Sequence, residues 1–347
     1  MRGPETGSSY SCIGDFASLR FLLAYSMSVF TTVEPAQLAR FLKRYELAPV
    51  RDFRPISAGI TNTNYFLDTD CGRYVLTLYE HHSDDELDYI LDLQQHLSTQ
   101  AVACPSPVAD RRGDKYSTLN NRPAAINRRM PGEVEIAPAD KHCALVGAEL
   151  ARFHLAGQGF DRIRPNPRGV AWLLAVADML EAELSRKERL LIASTLRDIR
   201  DFDSGSLKQG AIHADLFHDN ALFHNDTLGG IIDFDYACHD CLVLDLAVLL
   251  NDWCIDADGE LQAKRVAAVL DAYQELRRLD RKELQALPLM LRFAALRFWL
   301  SRLYDKVFPL SGELTFIKDP RFFRNLLLLR DAQTDQLQRL FLPHDTG

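Results

Sequence analysis

Between Gly210 and Ala237 the chain reads GAIHADLFHDNALFHNDTLGGIIDFDYA, and this stretch limits what the rest can be. It gathers carboxylates, amides and imidazoles among apolar residues, and an apolar core tolerates such groups only when each finds a partner. His213, Asp215 and Asn220 fall on a loop. An apolar run from Ala221 to Phe223, a turn at Asn225-Asp226 and a second run through Ile231 and Ile232 lead to Asp233, with Gly229-Gly230 expected to ease the reversal. The hairpin returns the chain, so Asp233 is predicted to lie beside the loop that carries Asp215 and Asn220. The rest of the fold has to serve as scaffold for that meeting.

Phosphoryl transfer requires such a set: one carboxylate to orient and deprotonate an attacking hydroxyl, and an Asn with a second Asp to hold Mg²⁺ on nucleotide phosphates. Mg²⁺ takes few protein ligands and prefers oxygen. Asp215 is read as the base, Asn220 and Asp233 as the metal ligands. The five-residue step from Asp215 to Asn220 resembles a kinase catalytic loop, and Asp233-Phe234-Asp235 resembles its DFG with the glycine replaced. More closely, HxDLxxxN followed by IDFD resembles the aminoglycoside phosphotransferase and choline kinase branch of the protein-kinase-like fold. That resemblance implies an α+β, bilobal molecule: a small antiparallel β-sheet N-lobe over 27–130 and a mainly helical C-lobe over 131–347, with ATP and Mg²⁺ as cofactors.

A chain of 347 residues with 47% hydrophobic content has room for two lobes with a sizeable core. Its formal charge of -8 argues against a nucleic-acid surface, since phosphate backbones are bound by Lys and Arg neutralisation. Seven scattered cysteines look like the reduced thiols of a cytoplasmic protein. Cys238-His-Asp-Cys241 is the one CxxC, and a structural zinc site needs a second pair, so a turn leading into a helix at Leu242 is expected. The apolar island Phe21 to Tyr25 is too short for a signal-peptide core or a membrane span. Strong patterning begins at Met27, which suggests that residues 1–26 are an extension and Met27 the natural start. Nothing in the sequence fixes an oligomeric state.

Along the chain, Thr32 is expected to cap a helix carrying Leu38, Phe41 and Leu42. Alternation then predicts three antiparallel strands through Phe53, Tyr65 and Leu76, with Ser57, Gly59, Asn62 and Asn64 in a turn where backbone N–H groups approach phosphates. Ser83 should start a helix bearing Leu87, Ile90, Leu91 and Leu97 on one face. Kinase-like proteins carry a Lys or Arg on the strand before that helix; here the position holds Thr77. Short strands at Tyr116 to Leu119 and Ala124 to Asn127 lead to a break at Met130-Pro-Gly132, the expected hinge, where backbone groups from Asn127 to Met130 would meet adenine. Further helices are expected at 171–183, 190–202, 242–253, 261–279, 284–308 and 320–340. His154 reads as a core histidine, His213 as structural, and Asp245 as a brace for the catalytic loop.

SAGITNTNYFL from Ser57, YVLTLYE from Tyr74, HADLFHDNALF from His213, IIDFDYA from Ile231 and LRFWLSRL from Leu296 together resemble homoserine kinases of the aminoglycoside phosphotransferase-like type. Thr77 fits the strand motif of that group. The resemblance implies transfer of the ATP γ-phosphate to the side-chain hydroxyl of L-homoserine on the way to threonine. The residues alone leave choline, aminoglycoside or amino-sugar kinases open, and also a nucleotide-binding module without turnover. Such an acceptor needs a cation for its carboxylate, and guanidinium pairs with carboxylate bidentately. Arg297 and Arg302 are the candidates, although five residues place them about 140° apart around a helix.

Overall fold

The computed structural model describes residues 31–56, 61–309 and 319–342. The extension 1–26, the start at Met27, and the turn residues Ser57 and Gly59 lie outside the described residues.

The first half is built on a five-stranded antiparallel sheet: β1 (Val50–Pro55), β2 (Thr63–Thr69), β3 (Arg73–Leu78), β4 (Tyr116–Leu119) and β5 (Arg122–Arg128), in the order β1-β2-β3-β5-β4. Alternation along β2 turns Thr63, Tyr65, Leu67 and Thr69 inward. The apolar part of that face packs with Leu76, Leu78 and Ile126 against Leu38 and Phe41 of α1 (Pro35–Leu42). The cap of α1 is Glu34, not Thr32. Pro35 suits the first helical turn because it has no N–H to satisfy, and the Glu34 N–H donates to Gln37 Oε1 at 2.8 Å. The residues before it tie the chain to the sheet instead, with Val33 N–H donating to the Tyr65 hydroxyl at 3.0 Å.

Helix α2 (Asp84–Thr99) starts at Ser83 with a capping box: the Ser83 N–H donates to Glu86 Oε2 and the Glu86 N–H to Ser83 Oγ. Leu87 and Leu91 pack under the sheet with Tyr79 and Ala125, whereas Tyr89, Ile90, Leu93 and Leu97 join the large core of the second half. The apolar division therefore runs through α2, upstream of Met130.

The second half contains α3 (Asp140–Gly157), α4 (Val170–Met179), α5 (Arg186–Asp201), α6 (Leu242–Trp253), α7 (Ala263–Leu276), α8 (Arg281–Val307), α9 (Arg321–Ala332) and α10 (Thr334–Phe341). Two small sheets interrupt them: β7 (Gln209–Ile212) with β10 (Cys238–Cys241), and β6 (Glu133–Val134) with β8 (Ala221–His224) and β9 (Thr227–Ile231). The CxxC segment is thus a strand rather than a turn. Its polar middle hides the strand pattern, but Cys238 pairs with Ile212 and Cys241 with Gln209, and both thiols are buried. Helix α6 follows directly and is buried on every side, as an all-round apolar helix must be. The last expected helix divides at Gln333 into α9 and α10. Among the described residues no helix is long and apolar enough to cross a membrane.

Candidate active site

Strand β7 delivers the chain to His213, and the hairpin β8–β9 brings it back. The two turn residues Asn225 and Asp226 both have positive φ, 47° and 61°, which matches the twist of a tight hairpin and suits Asn and Asp. Gly229 lies in β9, away from the turn, for a different reason: a Cβ there would come 1.9 Å from the carbonyl oxygen of Pro131. The Ile232 N–H donates to the Asn220 carbonyl at 2.9 Å, closing the open end of the hairpin. Asp233 emerges one residue later, exposed and at φ 65°.

The side-chain amide of Asn220 donates to the Asp215 carbonyl at 2.8 Å and to its Oδ2 at 3.2 Å. Asp215, Asn220 and the start of Asp233 are therefore brought together as the hairpin pattern requires. Ala214, just before Asp215, sits at φ 64°. A residue with a Cβ holds that conformation only when its surroundings over-determine it. Asp245 supplies one clamp, its Oδ2 and Oδ1 accepting the N–H groups of His213 and Ala214 at 2.6 Å each. Arg297 supplies the other by donating to the Ala214 carbonyl. His213 Nε2 lies 3.0 Å from the Ile232 carbonyl and joins loop to hairpin.

Asp245 is fully buried on α6. Burial alone would raise its carboxyl, but the hydrogen bond and charge of His154 and the loop N–H groups hold it below the usual carboxylate range. His154 is itself buried, which presses its imidazole below its ordinary value, and its Nδ1 lies 2.7 Å from the Tyr273 hydroxyl. The brace thus reaches from the catalytic loop through α3 into α7.

The sheet contributes neutral groups. Thr77 Oγ1 donates to Asn64 Oδ1 at 2.7 Å across the β2–β3 pair, and Asn64 Nδ2 reaches the Asn62 carbonyl at 3.3 Å. Asn62 Nδ2 in turn donates to Asp235 Oδ2 at 2.7 Å. Burial pushes the Asp235 carboxyl up to about 7, with Arg164 and the Asn62 amide opposing and the Asp215 charge adding. Arg164 donates to the carbonyls of Asp235 and Ala237 at 2.8 and 2.9 Å and to Glu86 Oε1 at 2.6 Å. Glu86 of α2 is therefore paired with an arginine of the second half. Arg164 lies in irregular chain and carries no motif; Asp235, standing where DFG has glycine, was the visible signal.

Adenine contacts are expected from the backbone between Asn127 and Met130, where two of the donors already have partners. Asn127 is buried, and the N–H groups of Arg128 and Arg129 donate to the carbonyls of Ser106 at 2.9 Å and Arg73 at 3.0 Å. Those two donors are paired within the protein because the connector before β4 and the start of β3 both lie alongside the end of β5. Met130 packs its side chain at Gly230, where a Cβ would come 2.4 Å from its Cε.

The two arginines of α8 part company. Arg297 is 2% exposed and committed to the loop carbonyl. Arg302 is half-buried with its guanidinium 4.2 Å from the Phe323 ring centroid; burial lowers its pKa against the charges of Asp215, Asp219 and Asp252. At the far end of the loop, Asp252 Oδ2 accepts the His218 N–H at 2.6 Å and faces its Nδ1 at 2.8 Å.

A carboxylate loop held in a strained conformation, an Asn bridging it and a hairpin returning a second Asp define a kinase-like phosphotransferase. Residues 52–279 match the phosphotransferase enzyme family, and the chain belongs to it. Solved structures share the fold: an amicoumacin kinase in complex with AMP-PNP and Ca²⁺ (16% identity, TM-score 0.66, covering 88% of this chain and 94% of that one), and a spectinomycin phosphotransferase (14%, TM-score 0.63, 88% and 100%). Within the family the chain belongs to the homoserine kinases. It is 47% identical over 311 residues to the homoserine kinase of Methylobacillus flagellatus, covering 90% of this chain and 98% of that protein. The homoserine kinase of Neisseria meningitidis serogroup B is 40% identical, covering 87% and 99%.

Proposed function

We propose that the chain transfers the γ-phosphate of ATP to the side-chain hydroxyl of L-homoserine, giving O-phospho-L-homoserine, with Asp215 as the base. The observation that carries this reading is the Asn220 amide spanning the Asp215 carbonyl and carboxylate. It orients the Asp215 carboxylate, the group that would receive the hydroxyl proton. Because the same Nδ2 makes both bonds, Asn220 Oδ1 remains the natural ligating atom. Together with the exposed Asp233 carboxylate it offers a sparse set of hard oxygen donors, which suits Mg²⁺ with its retained waters and phosphate oxygens. Among the described residues no cluster of three or more His, Cys, Asp or Glu could hold a metal by itself. When bound, Mg²⁺·ATP supplies the phosphoryl group and neutralises its charge.

The protein's part is orientation. Asp245 and Arg297 hold the peptide before Asp215 from opposite sides, so the base does not have to reorganise during reaction. Thr77, Asn64 and Asn62 form a line of neutral polar groups on the sheet side, where the nucleotide phosphates would bind. The six free thiols among the described residues suit a reducing cytoplasm.

Asp215→Asn tests the reading in a coupled ADP-release assay with homoserine. The variant should fold and bind nucleotide as wild type while kcat falls by about two to four decades, the range for losing a positioned acid-base group. Unchanged turnover by folded Asp215→Asn protein would eliminate Asp215 as the base.

A further inference from the structure

Arg168, like Arg164, belongs to no sequence motif. It stands just before α4, its backbone N–H held by Asn166 Oδ1 at 2.8 Å. Its guanidinium lies 4.2 Å from the Trp172 ring centroid and 5.7 Å from that of Tyr236, the residue that follows Asp235 on the metal loop. Its neighbours in sequence are neutralised: Arg162 pairs with Asp92 at 2.8 Å and Arg164 with Glu86 at 2.6 Å. Among the described residues Arg168 has no carboxylate within ion-pair distance.

The surroundings of Asp215 are thereby polarised. On one side stand Arg168 and Arg297 around the Tyr236 ring, the Arg297 guanidinium 5.3 Å from its centroid. The Tyr236 hydroxyl lies within the electrostatic reach of Arg168, Asp215 and Arg297 together. At the Phe323 ring, by contrast, Arg302 is coupled to Asp215, Asp219 and Asp252, so there its charge offsets carboxylates of the protein. A zwitterionic amino acid fits that polarity in one direction. Its carboxylate goes to the cationic side and its ammonium toward the acidic side, leaving the side-chain hydroxyl at Asp215.

We propose that Arg168, held over Trp172 and against Tyr236, receives the α-carboxylate of the acceptor and determines specificity for an amino acid over an amino alcohol. The fork of a guanidinium already oriented by two rings loses little freedom on taking a carboxylate. The assignment rests on the kinase reading above and replaces Arg297 and Arg302 in the carboxylate role.

The test compares initial rates on L-homoserine and on the amino alcohol that lacks only its carboxylate. Arg168→Ala should raise KM for homoserine about 30-fold or more, as expected for losing a hydrogen-bonded charge partner. Its KM for ATP and its rates on the amino alcohol should stay within a few fold of wild type, so the preference for the acid collapses. Arg168→Lys, which keeps charge but loses the fork, should recover part of that preference and exclude a folding defect. Arg302→Ala should depress both acceptors together. The proposal is overturned if Arg168→Ala keeps its preference for the acid, if it loses equally on both acceptors, or if Arg302→Ala alone abolishes the preference. Failure of the kinase reading itself looks different: wild-type protein would then release no ADP in response to homoserine.

Discussion

The two faces of the cleft are built on opposite principles. On the helical side, the charged groups that hold the catalytic loop are buried and partnered: Asp245 takes two loop N–H groups and His154, and Arg297 takes the loop carbonyl. On the sheet side the groups nearest the site are Thr77, Asn64 and Asn62, all neutral and joined in one line to Asp235. The difference follows from what each half can bury. The large helical core excludes water, so a carboxylate there is strong but must be fully paired. A five-stranded sheet with one thin apolar layer is better served by hydroxyl and amide groups, whose burial costs less than that of a lone ammonium. Across the cleft Arg164, from the second half, ties Glu86 of α2 to the carbonyl of Asp235.

The largest effect should come from breaking the matched side. Asp245→Ala leaves two loop N–H groups and His154 Nε2 unpartnered in the core, which should lower stability by about 3 kcal/mol or more. It should also abolish measurable turnover, because nothing then holds Ala214 in its left-handed conformation. Chemical denaturation alongside kinetics checks both, and a variant as stable as wild type would show that the brace is dispensable.

Next in size is the metal set. Asp233→Ala should weaken Mg²⁺·ATP and catalysis together, and Asn220→Ala should do the same more mildly, since each removes an oxygen from a cation with few protein ligands. Titrating activity with Mg²⁺ reads this directly; curves superimposable on wild type for both variants would end the metal assignment.

The smallest and most discriminating change is on the neutral side. Thr77→Lys places an ammonium where Asn64 Oδ1 now accepts from a hydroxyl. If the strand had simply lost a phosphate-binding lysine, ATP should bind more tightly. In a sheet built on neutral groups the longer chain displaces the Asn64–Asn62 line, and activity should drop several-fold, with the loss in kcat/KM for ATP. A several-fold gain in that parameter would show that the two faces are not specialised as described.

The chemistry of this protein was legible in the sequence wherever it depended on residues close together in the chain. A loop, two short apolar runs and an Asn-Asp turn are enough to return Asp233 to Asp215 and Asn220, because a tight hairpin has only a few backbone solutions. The capping box at Ser83 and the buried helix from Leu242 are local in the same sense. Partnerships between distant segments were settled by packing alone. Arg297 and Arg302 share a motif and a helix, yet one is drawn into the core by the Ala214 carbonyl and the other faces three carboxylates beside Phe323. The N–H groups of Arg128 and Arg129 are engaged within the protein because a connector more than 20 residues upstream, at Ser106, and strand β3 pass within hydrogen-bonding reach. Arg164 and Arg168 lie in a stretch with neither periodicity nor motif, and only the folded chain sets one against Glu86 and the other against Trp172. Periodicity and turn chemistry encode which way a backbone runs, but which polar groups end up facing each other depends on contacts whose sequence separation leaves no local trace.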